Sequence, residues 1–105
     1  MPSLLIVEDN EKLRAALKRG LEQTGAIRVL FDCPTGEAAL QFCGQQVPQA
    51  ILMDVHLAGE MNGIETIVAI RREWPRMPVV FYSIQDDDAY YRAFRQSGIL
   101  SHYAY

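Results

Sequence analysis

Two carboxylates in tandem, Glu8 and Asp9, a third at Asp54 and a hydroxyl at Ser83 each close a short apolar run. Leu4-Leu5-Ile6-Val7 leads into the acidic pair, Ile51-Leu52-Met53 into Asp54, and Val79-Val80-Phe81-Tyr82 into Ser83. A carboxylate can attack phosphorus if its charge is held in place and the phosphoryl oxygens are neutralised. Magnesium supplies that neutralisation well, because it is hard, prefers oxygen and is held by one or two carboxylates with water and substrate phosphate. Each residue alone is ordinary: an aspartate after a strand usually caps a turn, and adjacent acids are commonly just solvated. Their joint placement is the signal. Neighbouring parallel strands bring their carboxyl ends to one edge of a sheet, where open α/β folds place ligands.

The elements between these runs fit that arrangement. Apolar stretches of strand length alternate with longer stretches of helical period, which predicts βα units and a parallel sheet. The first strand is expected over residues 3–8. Asn10 then caps a helix over about 11–24, with Leu13, Ala16, Leu17 and Leu21 on one face and Lys12, Arg14, Lys18 and Arg19 largely on the other; Gly25 ends it in the left-handed conformation. Residues 27–31 read as the second strand. Thr35 caps the next helix without a full capping box. The third strand is expected over 49–53 and is followed by a loop from Asp54 to Gly63. A helix through Ile64, Ile67, Val68 and Ile70 reaches about Trp74, and Pro75 and Pro78 introduce a fourth strand at 79–82. A fourth helix is expected from Asp86-Asp87-Asp88 to about Gln96, and a fifth strand over 99–105.

The bulk composition bounds the classes. At 105 residues the chain suits one domain with one core. Half of it is hydrophobic and 22% charged, a globular balance. A net charge of −3 offers no general attraction to nucleic acid or to an anionic membrane, so direct DNA binding by this domain is not expected. The apolar runs of four or five residues fall far short of the ~20 that a membrane span needs. No basic n-region precedes the first run, so no signal peptide is expected, and Cys33 and Cys43 read as reduced, buried thiols in a cytoplasmic protein.

Taken in order, Ile6-Val7-Glu8-Asp9-Asn10, Ile51-Leu52-Met53-Asp54, Met61-Asn62-Gly63-Ile64-Glu65 and Val79-Val80-Phe81-Tyr82-Ser83 resemble the receiver domain of two-component response regulators. The similarity runs across essentially the whole chain, and order and spacing agree jointly. The resemblance implies a doubly wound, flavodoxin-like α/β fold with a five-stranded parallel sheet in the order 2-1-3-4-5. It implies that Asp54 accepts a phosphoryl group from a sensor histidine kinase or phosphotransfer protein, without the domain being an enzyme in the ordinary sense. Glu8, Asp9, Asp54 and the backbone carbonyl of His56 would hold Mg2+. Ser83 would contact the phosphate, and an aromatic residue on the fifth strand would respond. Counting from the serine points to His102, and the aromatic pattern to Tyr103, which is preferred. His56 and Gln85 occupy positions that tune phosphate lifetime in this family. They read equally well as exposed polar loop residues.

Several departures from the family pattern bear on function. Receivers usually carry a lysine late in the fifth strand, but the lysines here are Lys12 and Lys18. That lysine and the usual fifth helix are expected beyond Tyr105, which makes 1–105 a receiver domain cut before its last helix. Ala58 and Gly59 replace a proline turn, and Glu60 looks like a one-residue insertion, so a longer, looser loop is expected. Ile84 is bulky where a small residue is common. Together with the absent lysine it motivates a second reading, a pseudo-receiver that binds partners without being phosphorylated. Tyr90 and Tyr91, adjacent on the fourth helix, cannot both face inward. One of them would sit on a homodimer or output face formed by that helix and the fifth strand. A zinc site through His56 and His102 lacks the usual ligand set. The acidic Glu8-Asp9-Asn10-Glu11 segment is unlike a flavin phosphate loop.

Overall fold

The computed structural model describes residues 1–57 and 59–82. The expected fourth helix and fifth strand, with Ser83, Ile84, Gln85, Tyr90, Tyr91, His102 and Tyr103, lie outside the described residues.

The described elements alternate: β1 (Ser3–Val7), α1 (Glu11–Gln23), β2 (Arg28–Cys33), α2 (Gly36–Gln45), β3 (Ala50–Asp54), α3 (Gly63–Glu73) and β4 (Val79–Tyr82). All strand pairs are parallel and the order is β2-β1-β3-β4. The order matches the doubly wound sheet expected for strands one to four. The first strand stops at Val7 and leaves Glu8 just beyond it, the second runs on to Cys33, and the third extends through Asp54.

Alternation along the strands sorts side chains to two faces. Leu5, Val7, Ile51, Met53, Val79 and Phe81 point to one face, where α2 and α3 add Ala39, Cys43, Ile64, Ile67 and Ile70 to a continuous buried core. On the other face, the register places Ile6, Leu52 and Val80 in one row. Their exposure grades from 0% at Ile6 to 44% at Val80. The gradient follows α1, which packs on β1 and β2. No residue of α1 is fully buried: Leu13, Leu17 and Leu21 are half-buried, and Ala16, expected on the same face, is exposed.

Local signals set the helix ends. Asn10 accepts from the Leu13 amide and Thr35 from the Ala38 amide, each satisfying a free donor of the first turn. Gly25, at φ 72°, turns the chain after α1. At α3 the cap is more complete than at α1 or α2. Asn62 accepts from the Glu65 amide at 2.8 Å, and the Glu65 carboxylate accepts from the Asn62 amide at 3.1 Å, a complete capping box.

Val68, grouped above with the apolar residues of α3, is 39% exposed, because it lies off the stripe formed by Ile64, Ile67 and Ile70. Cys33 and Cys43 are buried free thiols. Burial pushes their pKa values up to about 12 and about 11, so neither is a nucleophile at neutral pH. No helix among the described residues is long and apolar enough to cross a membrane.

Candidate functional site

The carboxyl edge of the sheet gathers acid. Glu8 follows β1, Asp54 ends the adjacent β3, and one carboxylate oxygen from each of Glu8, Asp9 and Asp54 lies within 4.8 Å of the others. Asp9 is exposed, whereas Glu8 and Asp54 are 1% and 3% exposed. Two carboxylates are therefore held out of water with a third exposed beside them. Burial pushes the carboxyls of Glu8 and Asp54 above their ordinary values. Neighbouring negative charge adds to the rise, from Asp54 on Glu8 and from Asp9 on Asp54.

Hydrogen bonds hold each carboxylate in place. The His56 amide donates to Oδ1 of Asp54 at 3.0 Å, an Asx turn that fixes the aspartate over the start of the loop. The Asn10 amide donates to Oε2 of Glu8 at 2.8 Å, and the Tyr82 hydroxyl donates to Oε1 at 2.5 Å. Burial and the bond to Glu8 push the Tyr82 phenol far up, so it stays neutral and serves as a donor.

The loop after Asp54 is tied at its ends. Its first turn is held by the His56 amide, and the Gly63 amide donates to the Val55 carbonyl at 3.2 Å. Gly59 turns the chain at φ 102°, a conformation that costs most residues energy but not glycine. Gly63 lets α3 begin against the end of β3. A Cβ there would stand 2.2 Å from the Asp54 carbonyl oxygen and 3.0 Å from Met53 Cγ.

Arg14 corrects the expectation that it faces solvent with the other basic residues of α1. Its Nη1 donates to the Glu8 carbonyl at 2.9 Å and its Nε to Oδ2 of Asp32 at 3.1 Å, while Lys18 Nζ lies 3.7 Å from Oδ1. The position flanks the helix stripe beside β2, close enough for a long side chain to reach back to the sheet edge. Arg14 thus braces the backbone of Glu8.

Glu8, Asp9 and Asp54 come together, as their strand-end positions predict. His56 adjoins them through its amide. Sequence pattern places Arg14 on the solvent face of α1 and gives Tyr82 no partner, whereas the structure joins both to Glu8. A phenol at the end of an apolar run does not announce its partner, and helical periodicity cannot tell an arginine that turns toward the sheet from one that extends into water. The Asn62-x-x-Glu65 spacing, by contrast, is a legible cap.

The donor set fits a hard divalent cation. Three carboxylates converge with no thiol or imidazole among the clustered ligands, and their mutual repulsion is what a cation would relieve.

A parallel, doubly wound sheet with carboxylates gathered at its carboxyl edge defines a flavodoxin-like protein with an acidic, oxygen-lined site. A sequence model of the response regulator receiver domain matches residues 4–102. This chain belongs to the response regulator receiver family. It is 34% identical over 88 residues to the transcriptional regulatory protein AfsQ1 of Streptomyces coelicolor, covering 84% of this chain and 37% of that protein. It is 26% identical over 98 residues to the response regulator UvrY of Escherichia coli, covering 93% of this chain and 44% of that protein. The chain thus spans less than half the length of these curated relatives.

Among solved structures, the signal receiver domain of a modulated diguanylate cyclase from Desulfovibrio desulfuricans G20 superposes with a TM-score of 0.81 at 26% identity, over 93% of this chain and 76% of that one. A LuxR-family DNA-binding response regulator from Staphylococcus aureus reaches 0.86 at 23% identity, over 99% of this chain and 85% of that one, a likeness of fold.

Proposed function

We propose that this receiver domain is a phosphoacceptor switch in which Asp54 takes a phosphoryl group from a phosphohistidine of a sensor histidine kinase or phosphotransfer protein. The observation that carries the reading is the convergence of Glu8, Asp9 and Asp54 within 4.8 Å, two of them buried, in a chain of the receiver family.

An ionised Asp54 oxygen attacks phosphorus, the P–N bond to the donor imidazole breaks, and the imidazole leaves with a proton from solvent while an acyl phosphate forms. The His56 amide keeps the carboxylate aimed during this exchange. Glu8, Asp9, Asp54 and the His56 carbonyl would hold Mg2+, which supplies positive charge to the phosphoryl oxygens. Glu8 is buried and clamped from two sides, so its role is to hold the cation rather than to attack. Ser83 is the proposed phosphate-sensing hydroxyl, Tyr103 the aromatic that responds, and His56 and Gln85 the residues that tune phosphate lifetime.

On this reading the domain is a cytoplasmic substrate of its kinase that assists its own phosphorylation and hydrolysis. A homodimer through the fourth helix and fifth strand would carry the change onward. AfsQ1 and UvrY are named as regulators, which supports an output carried by a segment outside this domain.

The test is to incubate the protein with Mg2+ and acetyl phosphate, or with the mimic beryllofluoride, and follow intact mass and binding. A single phosphoryl addition that Asp54→Asn abolishes is expected. An unmodified protein in both assays overturns the reading in favour of a phosphorylation-independent binding module.

A further inference from the structure

Tyr82 makes a contact across the sheet that strand pairing does not require. It ends β4 and lies in register with Asp54 of β3, yet its hydroxyl bonds Glu8, beyond the end of β1. Since β3 lies between β4 and β1, the phenol and the glutamate side chain together bridge two strand spacings, roughly 10 Å. The bridge passes the strand end that carries Asp54. With the Asn10 amide on Oε2 and the phenol on Oε1, both oxygens of Glu8 are held, one from its own turn and one from the far strand. Each oxygen keeps a second lone pair for another partner.

We infer that Tyr82 is a positioning residue for the divalent cation at the acidic site: its hydroxyl fixes the Glu8 carboxylate in the orientation that faces Asp9 and Asp54. This rests on the metal-binding part of the function proposed above.

A glutamate free to rotate would have to be ordered when the cation arrives. A glutamate already held gives up little further freedom. Asp9, exposed, has no such buried setting, so the clamp acts on the ligand whose placement depends on the sheet. The bond makes β4 a structural partner of carboxylates carried at the ends of β1 and β3.

The experiment measures cation binding directly. Mn2+ is titrated by electron paramagnetic resonance, with Mg2+ as competitor, into the unaltered protein, Tyr82→Phe, Glu8→Gln and the double variant, and thermal unfolding without cation is recorded for each. Phenylalanine keeps the ring and removes only the hydroxyl. Tyr82→Phe is expected to weaken Mn2+ binding about 10-fold, at the lower end of losses seen when a group supporting a metal ligand is removed. In the Glu8→Gln background the same change is expected to add little, because the effect runs through that carboxylate.

Binding by the unaltered protein that Tyr82→Phe leaves unchanged or tightens overturns this inference alone. So does a loss of equal size in the Glu8→Gln background, which would mark a general structural effect. If the unaltered protein binds no Mn2+, the metal-site reading fails and this inference with it.

Discussion

The two ends of the same sheet are built to opposite specifications. At the carboxyl edge the chain buries Glu8 and Asp54 together and raises both carboxyl pKa values. At the amino edge the connections entering β3 and β4 set Arg76 among Val47, Pro48, Trp74, Pro75, Met77 and Pro78. These residues line a shallow groove of about 440 Å3. The Met77 amide donates to the Trp74 carbonyl, and the Arg71 guanidinium donates twice to the Met77 carbonyl. The difference is one of electrostatic cost: the amino edge meets its own hydrogen-bonding needs, while the carboxyl edge holds like charges close at a cost in stability that a bound cation can offset.

The largest break in that contrast comes from the core that both edges share. Phe81 is fully buried in that core. Phe81→Ala is expected to destabilise the protein by about 3–5 kcal/mol, seen as a lower urea midpoint, and to weaken both ends together.

Next is Gly63, where the carboxyl edge alone should suffer. Gly63→Ala places a Cβ against the Asp54 carbonyl oxygen, a backbone atom that cannot swing aside. A loss of about 1–3 kcal/mol is expected, with cation binding weakened beyond what the stability loss accounts for; a variant that melts lower yet binds Mn2+ normally would refute this coupling.

A gain in stability is the third outcome, and its size depends on pH. Carboxyls raised in the folded state bind protons more tightly there than in the unfolded chain. Their contribution is fully present below the ordinary values of 3.8 for Asp54 and 4.5 for Glu8, and is lost as pH rises through the raised folded values. Asp54→Asn is therefore expected to raise the melting temperature of the metal-free protein near neutral pH, on the order of a few degrees, with the gain shrinking as the pH falls toward 4. Mg2+ should stabilise the unaltered protein more than the variant. Scanning calorimetry across this pH range, with and without Mg2+, checks both halves.

The smallest effect belongs to the amino edge. Val47 is 48% exposed, and Val47→Ala should stay within about 0.5 kcal/mol and leave cation binding unchanged. A loss of binding there would erase the distinction between the edges.

Much of this was legible beforehand because its causes are local. Alternating apolar runs mark strands whatever surrounds them, and Asn10, Thr35 and Gly25 act within one turn of their own position. Glu8, Asp9 and Asp54 could be brought together by topology alone, since the carboxyl ends of adjacent parallel strands share an edge. Arg14 illustrates the limit. Its place on α1 was readable, but its turn toward Asp32 and the Glu8 carbonyl depends on a helix packing against a strand many residues away.

The sequence by itself determined the order of the described elements and the residue types at the candidate site, because propensity, periodicity and strand ends are properties of neighbours along the chain. Only the tertiary structure decided that Tyr82 reaches past β3 to Glu8 and that Gly63 must yield space to the Asp54 carbonyl. The extent to which the two inner acids leave water was decided there as well. Those facts are distances between residues far apart in sequence, and a folded sheet, with its spacing and its packing, is what makes them close.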